Sequence, residues 1–334
     1  GFDGQNNILA VPTPSFKGNS YTGYDMILSG LFENFVTPDA SGAEKQPGTI
    51  NIFGIVPGQD AFYKGNLTEI KRLLVKLGLR VNTFFGEGET LENLRGAGQA
   101  VLNIVLSDLY GKAPAKDFER THGTPYICLP MPIGAAQTAG FIRAVAKAVN
   151  MDGAEAVAEA VILEEESRYY DYIERLADIY NDVDLQRYVV VVGDVNYAPA
   201  VSRFVADELG WLPKLAVVTD FTDDALQTEI AGRFAGWENA EAPRVRFDTD
   251  TSAVRRYMRE IWPPGQNQRY TDSFTPAVII GSAFERDLSA EFSMPLLTVS
   301  FPVTNRAVLH QAYAGYNGGL NLTADLLTAL VAGR

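Results

Sequence analysis

The stretch that decides the fold is Val11-Pro12-Thr13-Pro14-Ser15-Phe16-Lys17-Gly18, followed by Tyr21-Thr22-Gly23-Tyr24-Asp25. It joins a short apolar run, Ile8-Leu9-Ala10-Val11, to a segment with apolar residues at Tyr24, Ile27, Leu28, Leu31, Phe32 and Phe35. That is the i, i+3, i+4, i+7 spacing of an amphipathic helix. The reading is strand, turn, helix, with Pro14 bracing the turn and Gly18 releasing it. A serine so placed stands at the carboxyl edge of a sheet, where open α/β folds bind ligands.

Outward from this point, short apolar runs alternate with amphipathic helices, the signature of parallel-sheet α/β units. A polar loop at Thr37–Gly42 ends the first fragment. Ile50–Val56 opens a second unit, with strands expected at Leu79–Phe85, Ala100–Leu106 and Tyr126–Leu129 and a closing helix at Ile133–Val149. The helix after Pro57-Gly58 reads as capped by Asn66 and stopped by Gly78. The acidic segment Gly153–Asp182 reads as one or two helices. The third unit has buried strands at Tyr188–Val192, Leu215–Val218, Ala277–Ile280 and Leu296–Val299, with helices at Ala198–Leu209 and Asp223–Phe234. Gly315–Gly319 reads as a turn before a C-terminal helix. The expected fold class is α/β: tandem domains with parallel sheets, the first truncated in this chain because one strand and one helix bury no core alone.

With 334 residues, two or three domains are expected. A net charge of −13, from 28 basic and 41 acidic residues, excludes a broad nucleic-acid surface. No apolar run is long enough to span a bilayer, and Gly1-Phe2-Asp3-Gly4 is no signal pattern, so a cytoplasmic location is expected. Cys128 is the sole cysteine, and His122 and His310 are the only histidines. A metal site built from this chain alone is therefore not expected.

Other candidates have simple structural readings. Gly193-Asp194 and Gly281-Ser282 end apolar strands where ligands bind, yet belong to no phosphate-binding motif. Their glycines permit tight turns, and Asp194 with Asn196 reads as a helix cap. Glu164-Glu165-Glu166 reads as a solvated helix face, and Tyr169, Tyr170, Tyr172 and Tyr180 as core or interface packing. His310 reads as hydrogen-bonded in an interface, Cys128 as a small buried hydrophobe.

Ser15 fits a turn or helix cap on spacing alone, but its surroundings closely resemble a segment in β subunits of nitrogenase component 1. Three further segments resemble the same family in the same order. These are Ile50-Asn51-Ile52 with Val56-Pro57-Gly58, Gly65-Asn66-Leu67 and Ile70-Lys71-Arg72; Pro130–Gly134; and Phe301-Pro302 with Arg306 and Gly315–Gly319. The resemblance implies Rossmann-like domains, here 1–45 (the remainder of a first), 46–152 and 153–334. It implies a homologous α-type partner in an α2β2 heterotetramer, served by an ATP-dependent iron protein. Electrons would pass through a P-type iron–sulfur cluster shared between subunits to a metallocluster in the partner. Ser15 would match the serine that ligates the oxidised cluster, with Phe16 and Gly18 shaping the wall beside it and no catalytic residue in this chain.

In the family, a region before this serine supplies three cluster cysteines; none stands there in this chain. The expectation is that the sequence is the remainder of a longer one. Arg168–Tyr172 and Gly193–Ala198 look more like the divergent nitrogenase-like branch, which includes methylthio-alkane reductases that cleave carbon–sulfur bonds. The expected function is thus a β-type subunit of such a reductase. The alternatives are a nitrogenase β subunit, a cofactor-assembly scaffold of the same family, and, from a different class, a small-molecule binding module.

Overall fold

In a computed structural model of the chain, the described residues are 10–14, 18–36, 45–182, 185–237, 241–263 and 277–332. The first sheet contains β1 (Thr49–Phe53), β2 (Arg80–Asn82), β3 (Leu102–Val105) and β4 (Tyr126–Cys128) in the order β2-β1-β3-β4. All its pairs are parallel, with Ile50 opposite both Val81 and Leu102. Around it lie α1 (Ser20–Phe35), α2 (Tyr63–Lys76), α3 (Leu91–Arg95), α4 (Lys112–His122) and α5 (Gly134–Val149). The 29-residue α6 (Ala154–Asp182) leads onward as one helix.

The second sheet contains β5 (Tyr188–Gly193), β6 (Leu212–Val218), β7 (Arg244–Phe247), β8 (Val278–Gly281) and β9 (Leu296–Thr298) in the order β7-β6-β5-β8-β9, also wholly parallel. Its helices are α7 (Tyr197–Asp207), α8 (Asp224–Gly232), α9 (Val254–Ile261), α10 (Arg286–Phe292) and α11 (Gly315–Ala332). Val189–Val192 are buried on both faces, which is why this strand reads as an unbroken apolar run rather than an alternating one. The α/β class with parallel sheets is as expected. Among the described residues no helix is long and apolar enough to cross a membrane.

The predicted α1 forms, and Asn19 caps it by accepting the Thr22 amide at 3.0 Å. Its apolar face packs Leu28, Phe32 and Val36 against Phe53, Val105 and Phe118 of the first sheet and α4. The Phe32 ring lies 5.0 Å from Phe53 and 4.9 Å edge-on to Phe118. The apolar run before it differs from expectation: Ala10–Pro14 forms no strand, since Pro12 and Pro14 lack the amides a ladder needs. Ile8 and Leu9 lie outside the described residues.

Three other local readings are corrected. Asn66 is not a cap; α2 begins at Tyr63, and Asp60 accepts the Phe62 amide at 2.7 Å. Gly315–Gly319 is not a turn but the first turn of α11. A Cβ on Gly319 would stand 2.6 Å from Gly134 Cα, so glycine there allows α11 and α5 to touch backbone to backbone. Glu165 is not solvated; it is 1 % exposed and accepts from Arg72 and Lys76 of α2.

Candidate functional site

Strand order reverses between β1 and β3 in one sheet and between β5 and β8 in the other. Such reversals leave a crevice outside the carboxyl ends of the strands. Here the two carboxyl edges face each other. Asn196, just beyond β5, donates from Nδ2 to the Gly54 carbonyl, just beyond β1, at 3.1 Å. Gly54 has φ +93°, and a Cβ on it would lie 2.8 Å from the Leu106 nitrogen. Only glycine lets the chain turn there this close to the end of β3.

The floor of the crevice is polar and buried. Asp194 Oδ1 accepts the amides of Asn196 and Tyr197, both at 2.9 Å, at the start of α7. The expected cap is thus made by Asp194 alone, since the Asn196 side chain goes to Gly54 and not to the helix. Its Oδ2 accepts from the Ser300 hydroxyl at 3.1 Å. Asp220 Oδ2 accepts the Val195 amide at 2.7 Å. Burial, reinforced by the Asp194 carboxyl, pushes Asp220 from 3.8 up to about 7. Burial raises Asp194 as well. Two buried carboxyls that repel each other cannot both ionise cheaply, which is why both are pushed upward.

A second buried knot lies beside the first. Asp60 accepts from the Tyr197 hydroxyl at 2.9 Å and from Asn66 Nδ2 at 2.8 Å. Burial raises Asp60 to about 6, although these hydrogen bonds oppose the shift. Asn66 Oδ1 accepts the amides of Tyr313 and Ala314 at 2.8 and 2.9 Å. One amide side chain thus ties α2 to α7 and to the segment that starts α11.

The N-terminus of α1 roofs the crevice. Tyr21 stacks on Tyr110 with ring centroids 4.0 Å apart and planes within 9°. The Tyr110 hydroxyl faces Asp194 and Asp220, yet it is buried without a hydrogen bond of ordinary geometry. Under this roof lies a cavity of about 340 Å³ bounded by Asp194, Asp220, Ser282 and Ser300 among others. On the outer side of α1 an open cleft of about 1030 Å³ runs past Gly18, Asn19, Asp25 and Glu33. Asn19, Tyr21 and Phe221 border both spaces. Asp25 accepts the Gly111 amide at 2.8 Å, and burial raises its carboxyl to about 6.

Of the residues singled out from sequence, Gly18 is exposed on the rim of the open cleft. Ser15 and Phe16 lie outside the described residues. Gly193-Asp194 and Gly281-Ser282 do converge on the cavity. His310 is exposed and borders a separate cleft on another face. The sequence reading missed Asp60, Tyr110, Asp220 and Ser300. Asp220 and Ser300 follow buried strands by two residues and Asp194 follows β5 by one, so the rule that flagged Asp194 reaches them too.

Among the described residues, no three His, Cys, Asp or Glu side chains gather as a metal site. Cys128 is half-buried at the end of β4, and burial pushes its thiol up, away from the thiolate a metal needs. The described residues do not by themselves fit an iron–sulfur cluster.

The model of the nitrogenase component 1 type oxidoreductase family matches residues 2–331. The B-type subunit of light-independent protochlorophyllide reductase from Nostoc punctiforme is 24 % identical over 97 % of this chain and 61 % of its own length. The nitrogenase molybdenum-iron protein beta chain of Frankia alni is 27 % identical over 96 % and 59 %; that of Methanococcus maripaludis is 25 % identical over 97 % and 68 %. The chain spans about three fifths of the length of the first of these, 61 %. The solved structure "Nitrogenase Cp1 at pH 6.5" shares the fold, with a TM-score of 0.72 and 23 % identity over 96 % of this chain and 67 % of that one.

Proposed function

The chain belongs to the nitrogenase component 1 type oxidoreductases, and on that footing we propose that it acts as a β-type subunit of a nitrogenase-like, two-component reductase. Its partners in this reading are a homologous α-type subunit, in an α2β2 assembly, and an ATP-dependent iron protein. Ser15 is proposed as a ligand, and Phe16 and Gly18 as the wall, of an iron–sulfur cluster shared between the subunits. With one cysteine in the chain, the thiolates for that cluster come from elsewhere. The three-part division at 1–45, 46–152 and 153–334 belongs to the same proposal.

The observation that carries this reading is the family match across residues 2–331. The geometry is compatible with it: Gly18 stands at the foot of α1 on the rim of an open cleft, three residues after Ser15. The reaction proposed is reductive carbon–sulfur cleavage of methylthio-alkanes, favoured by Arg168–Tyr172 and Gly193–Ala198. Reduction of dinitrogen is the competing reaction.

The test is to purify the native assembly through a tag on this chain, then measure iron and record electron paramagnetic resonance in reduced and oxidised states. Ser15→Ala is expected to keep the iron and the assembly but change the oxidised-state signal. An iron-free assembly refutes the proposal. A deletion strain that still fixes nitrogen, but cannot use methylthio-compounds as sulfur source, assigns the carbon–sulfur reaction. The reverse phenotype assigns dinitrogen.

A further inference from the structure

The mouth of the 340 Å³ cavity is ringed by three phenylalanines from three separate loops. Phe221 follows β6 and is 80 % exposed; Phe284 follows β8 and is 64 % exposed; Phe301 follows β9 and is 47 % exposed. Large apolar rings left in water around one opening mark a binding surface rather than a core. Beneath them the floor is Asp194, Asp220 and Ser300, and among the described residues no lysine, arginine or histidine lines it. A phosphate or carboxylate ligand would meet two carboxyls, neutral hydroxyls and amides, and the negative faces of the rings, with no cation to offset its charge among the described residues. A cation would meet both to advantage. The buried Tyr110 hydroxyl faces the same carboxyls and is engaged with Asp220 from behind the floor.

We propose that this crevice binds a small organic cation, its ammonium or guanidinium head against Asp194 and Asp220 and its apolar body between Phe221, Phe284 and Phe301. The volume is at the small end for ligand pockets, so the ligand is a metabolite-sized amine. The groups facing the two carboxyls are Tyr21 from α1, Tyr110 from the loop before α4, Asp60 from the loop before α2, and Tyr197 from α7. Among the described residues none of these carries positive charge, so the incoming cation itself drives ionisation of the floor. Binding releases a proton to solvent, and affinity rises with pH. The crevice shares Asn19, Tyr21 and Phe221 with the cleft beside Gly18, but its test uses no electron transfer, so its failure and that of the cluster proposal are distinct.

The experiment is isothermal titration of the full chain in its native assembly with benzylammonium, benzyl alcohol and benzoate. Benzylammonium is expected to bind about tenfold or more tighter than benzyl alcohol, and benzoate not at all. Its affinity should increase between pH 6 and pH 8, with proton release seen by changing the buffer's ionisation enthalpy. Asp220→Asn should erase the preference for the cation over the alcohol. Phe221→Ala and Phe284→Ala alter exposed side chains that the fold does not need, and each should weaken benzylammonium binding severalfold. Equal affinity for benzylammonium and benzyl alcohol, binding that ignores both phenylalanine variants, or no binding at millimolar probe overturns the proposal.

Discussion

Replacing Glu165 by alanine tests how α6 is held to the first sheet. Its carboxylate is 1 % exposed and accepts from Arg72 at 2.6 and 2.9 Å, Lys76 at 2.5 Å and Arg168 at 3.1 Å. Burial alone would raise its pKa; the hydrogen bonds and charges of Arg72 and Lys76 outweigh that and lower it from 4.5 to about 2. A displacement of that size corresponds to about 3 kcal/mol. Breaking a buried pair by removing one partner costs about 3–5 kcal/mol, because the other charges are left uncompensated. Arg72 and Lys76 are each 31 % exposed and Arg168 45 %, so the cations can recover some hydration, which places the expectation near the lower figure, about 3 kcal/mol. Thermal denaturation at pH 7 should then show a loss of about 4 °C.

The folded value lies below the unfolded one, so the stabilisation is full above about pH 4.5 and disappears as pH falls towards 2. Wild type and Glu165→Ala should therefore converge in acid. A loss under about 1 kcal/mol at pH 7, as expected of a surface ion pair, would refute the claim that this carboxylate anchors α2 to α6. So would a difference that persists unchanged at pH 2.

Asp220→Asn should act in the opposite pH range. Its folded pKa lies above 3.8, so wild type loses stability as pH rises towards about 7; the amide should stabilise by on the order of 2–4 kcal/mol at pH 8 and by nothing at pH 3, read from urea midpoints. Asn66→Ala strands the Tyr313 and Ala314 amides and should destabilise by about 3 kcal/mol, with faster hydrogen exchange at those two positions. Gly319→Ala drives a methyl into Gly134 backbone and should lower stability by about 1–3 kcal/mol; an unchanged melting temperature would show that α5 and α11 can part freely.

Several sequence readings failed for one reason: periodicity reports which residues turn inward, not what they meet. Glu164, Glu165 and Glu166 look alike in sequence, but only Glu165 is buried against Arg72 and Lys76; Glu164 also meets Lys76 yet stays exposed. Asn66 looks like a cap because it precedes an apolar run; it is buried inside α2 because its amide serves nearby Asp60 and two distant segments, at Tyr197 and at Tyr313. β7 was missed because Arg244-Val245-Arg246-Phe247 alternates as an edge strand does, lacking the continuous apolar run of a central one.

The parallel α/β class, the central strands and the amphipathic α1 are legible without any coordinates, since they follow from local spacing and from side chains that must leave water. The family is legible too, through short motifs in fixed order. Folding in three dimensions was needed to bring the carboxyl edges of two sheets together, to set Asp194, Asp220 and Ser300 on one floor, and to ring its mouth with three phenylalanines. Asp194 and Ser300 are 106 residues apart, and no local preference encodes a contact at that separation. It arises when helices packed on each sheet fix where the strand ends point.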